Sequence, residues 1–302
     1  MTRRRATARA GGGRRAARDP VVAQLLPRGL RRVLVAVLLV LVLAPVLYIV
    51  FASVNSDLAV ASGAFLPTSL NLGNYARVWS TVELGRGLVN SLLVAGTVAV
   101  GAAVVGLGTA YALVRYPVRG RLGILRGLLG LQSIPGTLLL LPVFVLFATL
   151  ATSLGVPVIG TRWALGLTYL TFACPFSTWV MVTYLRGLPS ELSDAARVDG
   201  ASTGQVLTRI IVPLSWPGLV VAAVFAFLLG WNDVLYASVL TNPDTRTAAV
   251  ALQVFGATQE GGAIPVYGQL MAAALLCALP VVALYLLLQR YLISGLTAGG
   301  VK

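Results

Sequence analysis

Six long apolar segments constrain the fold of this chain more than any other feature of its sequence. Each is close to or above the roughly 20 residues that a helix needs to cross a bilayer. Only 11% of the residues are charged, whereas soluble globular domains have about 25%. The sequence therefore predicts an all-α polytopic membrane protein with six transmembrane helices. The segments are Val33–Val54, Leu88–Val114, Gly127–Leu150, Ala164–Leu185, Gly218–Leu240 and Val266–Ile293.

The basic residues predict which way these helices cross the membrane. The N-terminal tail, residues 1–32, holds ten arginines and a single acidic residue, Asp19. With the N-terminus inside, nineteen of the 23 basic residues lie on the inner side and four on the outer side. Cytoplasmic loops carry the excess of Arg and Lys, so both termini are predicted to be cytoplasmic. A basic tail can also bind nucleic acid, but a positive-inside anchor beside the first span is the favoured interpretation, with the lipid bilayer as partner.

This topology divides the chain into regions. We predict a basic cytoplasmic tail at 1–32, a first transmembrane helix at 33–54 and an outer loop at 55–87. A core of five transmembrane helices follows at 88–293, and a short cytoplasmic tail at 294–302.

The missing residue types exclude several classes of enzyme. The chain has no histidine, and its single lysine is Lys302 at the end of the chain. A phosphate-binding loop needs Ser or Thr after its lysine, and a zinc site of the HExxH type or a Ser-His-Asp triad needs histidine. Cys174 and Cys277 both lie in apolar segments, where free cysteine behaves as a small hydrophobic residue. We therefore expect no enzyme activity, no metal and no nucleotide cofactor in this chain.

A second feature is the polar triplet Trp231, Asn232 and Asp233 inside the fifth apolar segment. A carboxylate facing lipid costs a few kcal/mol, so Asp233 is expected to face the bundle or a water-filled cavity. A flat indole ring beside hydrogen-bonding groups suits a sugar, which has an apolar CH face and a rim of hydroxyls. These residues, with Asn90 in the second segment, are candidates for a substrate pathway. The alternative is that they only hold helices together by hydrogen bonds.

The third feature is a polar stretch, Pro189–Pro213, between two apolar segments. Ser190 is placed to cap a helix whose first turns carry Glu191 and Asp194, where the helix dipole favours acidic side chains. Gly200 permits a sharp turn, and a second short helix from Thr203 to Ile211 is expected to stop at Pro213. The pattern predicts a compact helix-turn-helix at the membrane surface, with a simple amphipathic surface loop as the alternative.

The spacing within this stretch resembles a known motif. Asp194-Ala195-Ala196, then Gly200, then Ile210-Ile211-Val212-Pro213 is similar to the EAA motif, EAA-x3-G-x9-I-x-L-P, with Asp for Glu and Val for Leu. That motif is the signature of inner-membrane permease subunits of bacterial ABC importers. We therefore name residues 189–213 the coupling segment. Asn74-Tyr75, Trp231-Asn232-Asp233 and the C-terminal Gly295–Lys302 resemble the carbohydrate branch, whose permeases are similar to the G subunit of the maltose system.

The resemblance implies a type I ABC importer permease fold in the bacterial cytoplasmic membrane. It implies a subunit that forms a pathway for a carbohydrate delivered by an extracellular or periplasmic binding protein. A second, F-type permease and two ATPase subunits, or a homodimer of one, are the expected partners, with ATP bound only by the ATPase. The alternatives are a permease for a polyamine, anion or peptide, or an ion-coupled secondary transporter. The residues expected to couple to the ATPase are Glu191, Asp194, Ala195, Ala196, Asp199, Gly200, Ala201, Ser202 and Pro213.

Overall fold

The chain forms a succession of helices joined by short connections. A computed structural model describes residues 27–259 and 266–297, apart from the side chains of residues 258–259 and 292–297. All regular secondary structure in these ranges is helical. The helices are α1 (Arg28–Ser53), α2 (Asp57–Ala61), α3 (Gly73–Thr81), α4 (Leu84–Arg115), α5 (Arg121–Leu131), α6 (Gly136–Leu154), α7 (Arg162–Arg186), α8 (Glu191–Val198), α9 (Thr203–Val206), a π-helical turn (Leu207–Ile211), α10 (Val212–Leu214), α11 (Trp216–Asn232), α12 (Leu235–Leu240), α13 (Ala248–Gln259) and α14 (Tyr267–Thr297).

Five helices in the described ranges are long and apolar enough to cross a membrane: α1, α4, α6, α7 and α14. A sixth span results when the bent pair Thr203–Leu214 and Trp216–Asn232 is counted as one. The all-helical, polytopic fold is confirmed.

The chain divides into two compact units, residues 1–48 and residues 49–302. In the first unit, the structure describes the greater part of α1, an apolar helix that continues through Pro45. The second unit contains α2 to α14 and every site described below. The division into tail, loop and core regions at the predicted boundaries remains a prediction.

The second unit is built around α4, α7 and α11. The parallel helices α4 and α7 approach so closely that a Cβ added at Gly106 would lie 2.9 Å from the backbone carbon of Ser177. Helix α11 runs in the opposite direction, and Gly218 lies against the ring of Tyr184 with only 2.8 Å for an added Cβ. Small residues allow helices to pack this closely in lipid, where apolar attraction alone does not drive association. Helices α4 and α7 finish at the same end of the bundle, at Arg115 and Arg186.

Two of the predicted spans are not continuous helices. The third segment is interrupted at residues 132–135, where Pro135 has ψ 124° and α6 begins only at Gly136. Proline has no N–H to donate and disfavours helical geometry in the residue before it, so the helix stops and restarts. The fifth segment is interrupted at Asp233 and Val234, between α11 and α12.

Candidate functional site

The coupling segment folds as two short helices joined by a tight turn. Helix α8 ends at Val198, and Gly200 follows with φ +84°. The N–H of Gly200 donates to Arg197 O at 3.0 Å, and the N–H of Ala201 donates to Ala196 O at 2.9 Å. This pair of bonds is the Schellman motif, which satisfies the last carbonyls of a helix and requires a left-handed residue that is usually glycine. The sharp turn predicted at Gly200 is present.

The caps of the two helices differ from the prediction. Ser190 precedes α8, but its side chain makes no capping hydrogen bond. The residue that forms a complete N-cap is Ser202 at the start of α9. The Gln205 N–H donates to Ser202 Oγ at 3.3 Å, and the Ser202 N–H donates to Gln205 Oε1 at 2.8 Å. This reciprocal capping box fixes where the second helix begins.

Pro213 does not stop the second helix, contrary to the prediction. The backbone stays helical through the π-helical turn and α10 to Leu214, with Pro213 in the first turn of α10. A proline is tolerated there because the first N–H groups of a helix have no intrahelical partner. The direction changes at Ser215 instead, where α11 begins after a bend of 76°. The coupling segment is therefore joined to α11 through two residues, Leu214 and Ser215.

Buried side chains fasten the coupling segment to the bundle. Val206 is fully buried and Ile211 is 1% exposed, and both belong to a cluster with Leu113, Leu125 and Leu185. Leu113 and Leu185 lie in the last turns of α4 and α7, and Leu125 lies within the short helix α5. Three helices thus contact one side of the segment, so the segment and the bundle move together unless this cluster separates.

The other side of the coupling segment is open. Val198, the last residue of α8, is 88% exposed, and the acidic side chains of Glu191, Asp194 and Asp199 along and directly after the same helix are also exposed. Asp194 lies 3.7 Å from Arg197, an ion pair of two well-exposed groups and therefore of small energetic value. Of the predicted coupling residues, Ala196 and Ala201 are half-buried, and the others are exposed. The result is an apolar tip with acidic residues around it.

Asp233 occupies a corner between α11 and α12. Its Oδ1 accepts three hydrogen bonds, from Tyr169 Oη at 2.7 Å, Tyr236 N at 3.0 Å and Ala237 N at 3.1 Å. The last two bonds cap the start of α12, and the first ties that corner to α7. Oδ2 accepts no hydrogen bond from the described part of the chain. Most of the hydrogen bonding of this carboxylate therefore holds the helix break in place.

The neighbours of Asp233 point to different surroundings. Trp231 is 6% exposed, and its ring stacks on Phe227 with centroids 5.3 Å apart. Asn232 is exposed, and its side chain makes no hydrogen bond with the residues that the structure describes. The triplet therefore does not form one surface. Trp231 packs against Phe227, Asp233 is hydrogen-bonded to Tyr169 and to the start of α12, and the Asn232 side chain is exposed.

Asn90 lies elsewhere, near the start of α4. Its Nδ2 donates to the carbonyls of Asp244 at 3.0 Å and Arg246 at 2.9 Å, and the residue is 1% exposed. The Asp244 side chain is also 2.7 Å from Arg86 Nη1. Asn90 thus fastens the connection between α12 and α13, and neither of these hydrogen bonds reaches the Asp233 corner. Its role in a substrate pathway remains a prediction, as do those of Trp231, Asn232 and Asp233.

The break at residues 132–135 opens a cavity that the sequence did not predict. The cavity has a volume of about 490 Å³ and lies between the break, α7 and α11. Pro135-Gly136 in the middle of the third apolar segment is the sequence signal that could have found it, because such a pair commonly marks a turn. Its lining includes Gln132, Ile134, Gly136, Thr171, Phe172 and Leu229.

Comparison with known proteins identifies relatives over most of the chain. Residues 102–297 match the family "binding-protein-dependent transport system inner membrane component". The trehalose transport system permease protein SugB of Mycobacterium tuberculosis is 32% identical over 261 residues, which cover 86% of this chain and 92% of that protein. The trehalose/maltose transport system permease protein MalG of Thermococcus litoralis is 32% identical over 280 residues, 90% of this chain and 98% of that protein.

A solved structure shares the fold. A chain of a bacterial ABC transporter involved in the import of the acidic polysaccharide alginate superimposes with a TM-score of 0.71. The superposition covers 88% of this chain and 98% of that chain, at 22% sequence identity. The arrangement of helices described above is therefore that of an ABC importer permease.

Proposed function

Because this chain belongs to the binding-protein-dependent transport system inner membrane component family, we propose that it forms the pathway for a carbohydrate in an ATP-driven ABC importer. It is a transport subunit with several membrane spans. The observation that carries the proposal is the coupling segment. The residues with EAA-type spacing fold into a helix pair that packs against three helices on one side and is exposed on the other. Such a segment can transmit a push from a partner to the bundle.

The carbohydrate class rests on the relatives. Proteins named for trehalose and for trehalose/maltose transport align with nearly the whole of this chain, and the Trp231-Asn232-Asp233 triplet resembles the same branch. The sugar is delivered by an extracellular or periplasmic binding protein. Of the triplet, Asn232 is the member whose side chain is free to meet a substrate, while Asp233 and Trp231 support the corner from which it projects.

ATP is bound and hydrolysed by separate ATPase subunits, two copies or a homodimer of one, and this chain holds no nucleotide. A second, F-type permease completes the pathway. Both termini and the coupling segment lie on the cytoplasmic side, in keeping with the excess of arginine there. The apolar tip at Val198 enters a cleft of the ATPase subunit, and Glu191, Asp194 and Asp199 meet basic or polar groups at its rim. Closure of the ATPase on ATP then pulls the coupling segment and, through Ser215, α11.

The test uses two glycines with the same local geometry. Gly200 and Gly155 both have positive φ, +84° and +67°, and a Cβ added at either meets no atom within 4 Å. Gly200 lies in the coupling segment, whereas Gly155 ends α6. Because the backbone strain is similar and only the location differs, Gly200→Trp is expected to abolish sugar uptake and Gly155→Trp to retain most of it. Both variants are compared in the complete transporter for membrane insertion and for retention of the ATPase subunit.

Normal uptake in Gly200→Trp would remove the coupling role. The energy source is tested separately, by depleting ATP or by collapsing the ion gradients of energised cells. Uptake that survives ATP depletion and stops when the gradients collapse would instead identify an ion-coupled transporter.

A further inference from the structure

The cavity beside the break between α5 and α6 lies near the middle of the bundle. Gln132 Nε2 is 3.5 Å from Phe172 O, which places the break level with Phe172 of α7. Phe172 is about 15 Å from the Arg162 end of its helix, at 1.5 Å per residue, and about 21 Å from the Arg186 end. The break is therefore well inside the apolar part of the protein.

Exposed irregular backbone at this depth needs a polar environment. Residues 132–135 are exposed in the isolated chain. At this break the N–H groups of Gln132, Ser133 and Ile134 donate to the carbonyls of residues 129–131, but the carbonyls that follow are left without helical partners. Such groups are not found facing lipid tails, and they occur at membrane depth only where they are covered by protein or line a water-filled cavity. The break therefore faces the pathway or a partner subunit, and the cavity beside it has room for a ligand.

Helix α7 adds further polar groups to the same cavity. Pro175 is part of the lining and has no N–H, so the carbonyl of Thr171, four residues earlier, lacks its helical partner. The Thr171 hydroxyl donates to Leu167 O at 2.9 Å and keeps its capacity to accept. The Gln132 amide makes one bond at the outer limit of hydrogen-bond distance, so it can turn to a ligand.

The ring of Phe172 forms an aromatic wall of the cavity, and Tyr236 packs against it from outside the lining. The rings of Phe172 and Tyr236 have centroids 5.2 Å apart. The Tyr236 hydroxyl donates to Gly136 O at 2.6 Å and thereby joins α12 to the first residue after the break. Since Asp233 caps α12, the hydrogen bonds at the Asp233 corner also hold this wall in position. Binding sites for small molecules are typically of this kind, largely apolar with a few convergent polar groups.

The absence of charged residues from the lining indicates the class of ligand. No residue lining the cavity carries a charge. A polyamine or an anion would leave its charge without a partner there, at a high cost in desolvation, whereas a sugar ring needs a flat apolar face and neutral donors and acceptors. We propose that this cavity contacts the neutral sugar as it crosses the membrane, with Phe172 against its CH face and Gln132 and the Thr171 carbonyl at its hydroxyls. This assignment rests on the proposed function and adds a contact site to it.

The chain offers a matched control in a second groove. That groove, of about 510 Å³, lies between α4 and α7 and includes Thr97 and Leu167. This groove reaches Arg162 at the start of α7, but no break interrupts α4 or α7 beside it, so it lacks the carbonyls that the break exposes in the first cavity. Thr97 is exposed and donates to Leu93 O at 2.8 Å, as Thr171 donates to Leu167 O. Leu167 is 48% exposed and Leu229 of the first cavity 36%.

The transport test compares Leu229→Trp with Leu167→Trp in the complete transporter in proteoliposomes. A panel of radiolabelled sugars that includes trehalose and maltose is offered with the binding protein, and ATP hydrolysis is measured in parallel. Filling the first cavity obstructs the sugar, so Leu229→Trp is expected to lower uptake on the order of tenfold while hydrolysis continues. Leu167→Trp is expected to transport like the parent protein. Equal uptake in the two variants, or equal loss, overturns the assignment.

A second measurement does not depend on the identity of the sugar. In a chain with Cys174→Ala and Cys277→Ala, a charged, membrane-impermeant thiol reagent is applied to Thr171→Cys and Thr97→Cys, with and without ATP. Modification of Thr171→Cys, absent at Thr97→Cys, is expected if the first cavity is part of an aqueous pathway. Absence of modification at Thr171→Cys in both states, or equal modification at both positions, overturns it. Failure of the parent transporter to take up any sugar would count against the proposed function, and the thiol result would still decide whether the cavity is aqueous.

Discussion

The coupling segment and the Asp233 corner are both polar interruptions between apolar helices, but their polar groups are used in opposite ways. In the coupling segment the apolar side chains are buried and the acidic ones are exposed without strong partners. At the corner, Asp233 Oδ1 accepts three hydrogen bonds from its own chain. A polar group that is free can meet a partner, whereas one that is already bonded mainly shapes the fold. The coupling segment therefore has free polar groups for docking a partner, whereas the hydrogen bonds of the Asp233 corner stabilise the fold.

The largest effect on stability is expected at the corner. Asp233→Ala removes the acceptor of the Tyr169 hydroxyl and the cap of α12. A buried donor left unpaired costs about 1–3 kcal/mol, and loss of a cap costs about 1 kcal/mol. The midpoint of thermal unfolding of the purified complex is therefore expected to fall by several degrees. Asp233→Asn keeps an acceptor oxygen at the same place and should lose much less. Equal midpoints for the alanine variant and the parent would show that these bonds do not hold the corner.

A smaller loss of stability is expected at the cap of α9. Ser202→Ala removes the side-chain half of the capping box, which is worth about 1 kcal/mol. Since this cap fixes the start of the second helix of the coupling segment, uptake should fall in proportion to fraying of that helix. Ser202→Asp keeps a capping oxygen and is the control. Protease sensitivity of the segment, compared between the two variants, measures the fraying. The same sensitivity in both variants would contradict the role of the cap.

The sequence predicted the large features because they follow from local patterns. Apolar runs long enough to span a bilayer predicted the helices, and Gly200 between two short amphipathic stretches predicted the turn. The caps and breaks were harder, since they depend on which competing local geometry the rest of the fold accommodates. Ser190 and Ser202 are equally good capping residues by type, yet only Ser202 has a Gln three residues later to complete the box.

The interior of the candidate sites could not be derived from the pattern. Asp233 was recognised as an unusual intramembrane carboxylate, but its partner Tyr169 is 64 residues away in the chain. Asn90 likewise bonds to a segment more than 150 residues later. Such contacts depend on the packing of α4, α7 and α11, which hydrophobic periodicity does not specify. The break at residues 132–135 has a local signal in Pro135-Gly136, but the cavity beside it also depends on how α7 and α11 pack against the break.

The smallest effect on stability is expected at the apolar tip. Val198 is 88% exposed, so Val198→Ser should change the free energy of unfolding by less than about 0.5 kcal/mol. The same substitution removes the side chain that is proposed to enter the ATPase cleft, and uptake is expected to fall strongly. A stability loss as large as that of Asp233→Ala, or unchanged uptake, would remove the distinction between the two regions.

The most direct test of the coupling role is a cross-link in the intact membrane complex. A photoreactive p-benzoylphenylalanine is placed at Val198 or, as a control, at Leu58 of α2, which is 78% exposed. After illumination, the Val198 position is expected to form a covalent product with the ATPase subunit, and the Leu58 position is not. A product of equal yield at both positions, or none at Val198 while the complex remains assembled, would contradict the assignment of residues 189–213 as the docking site.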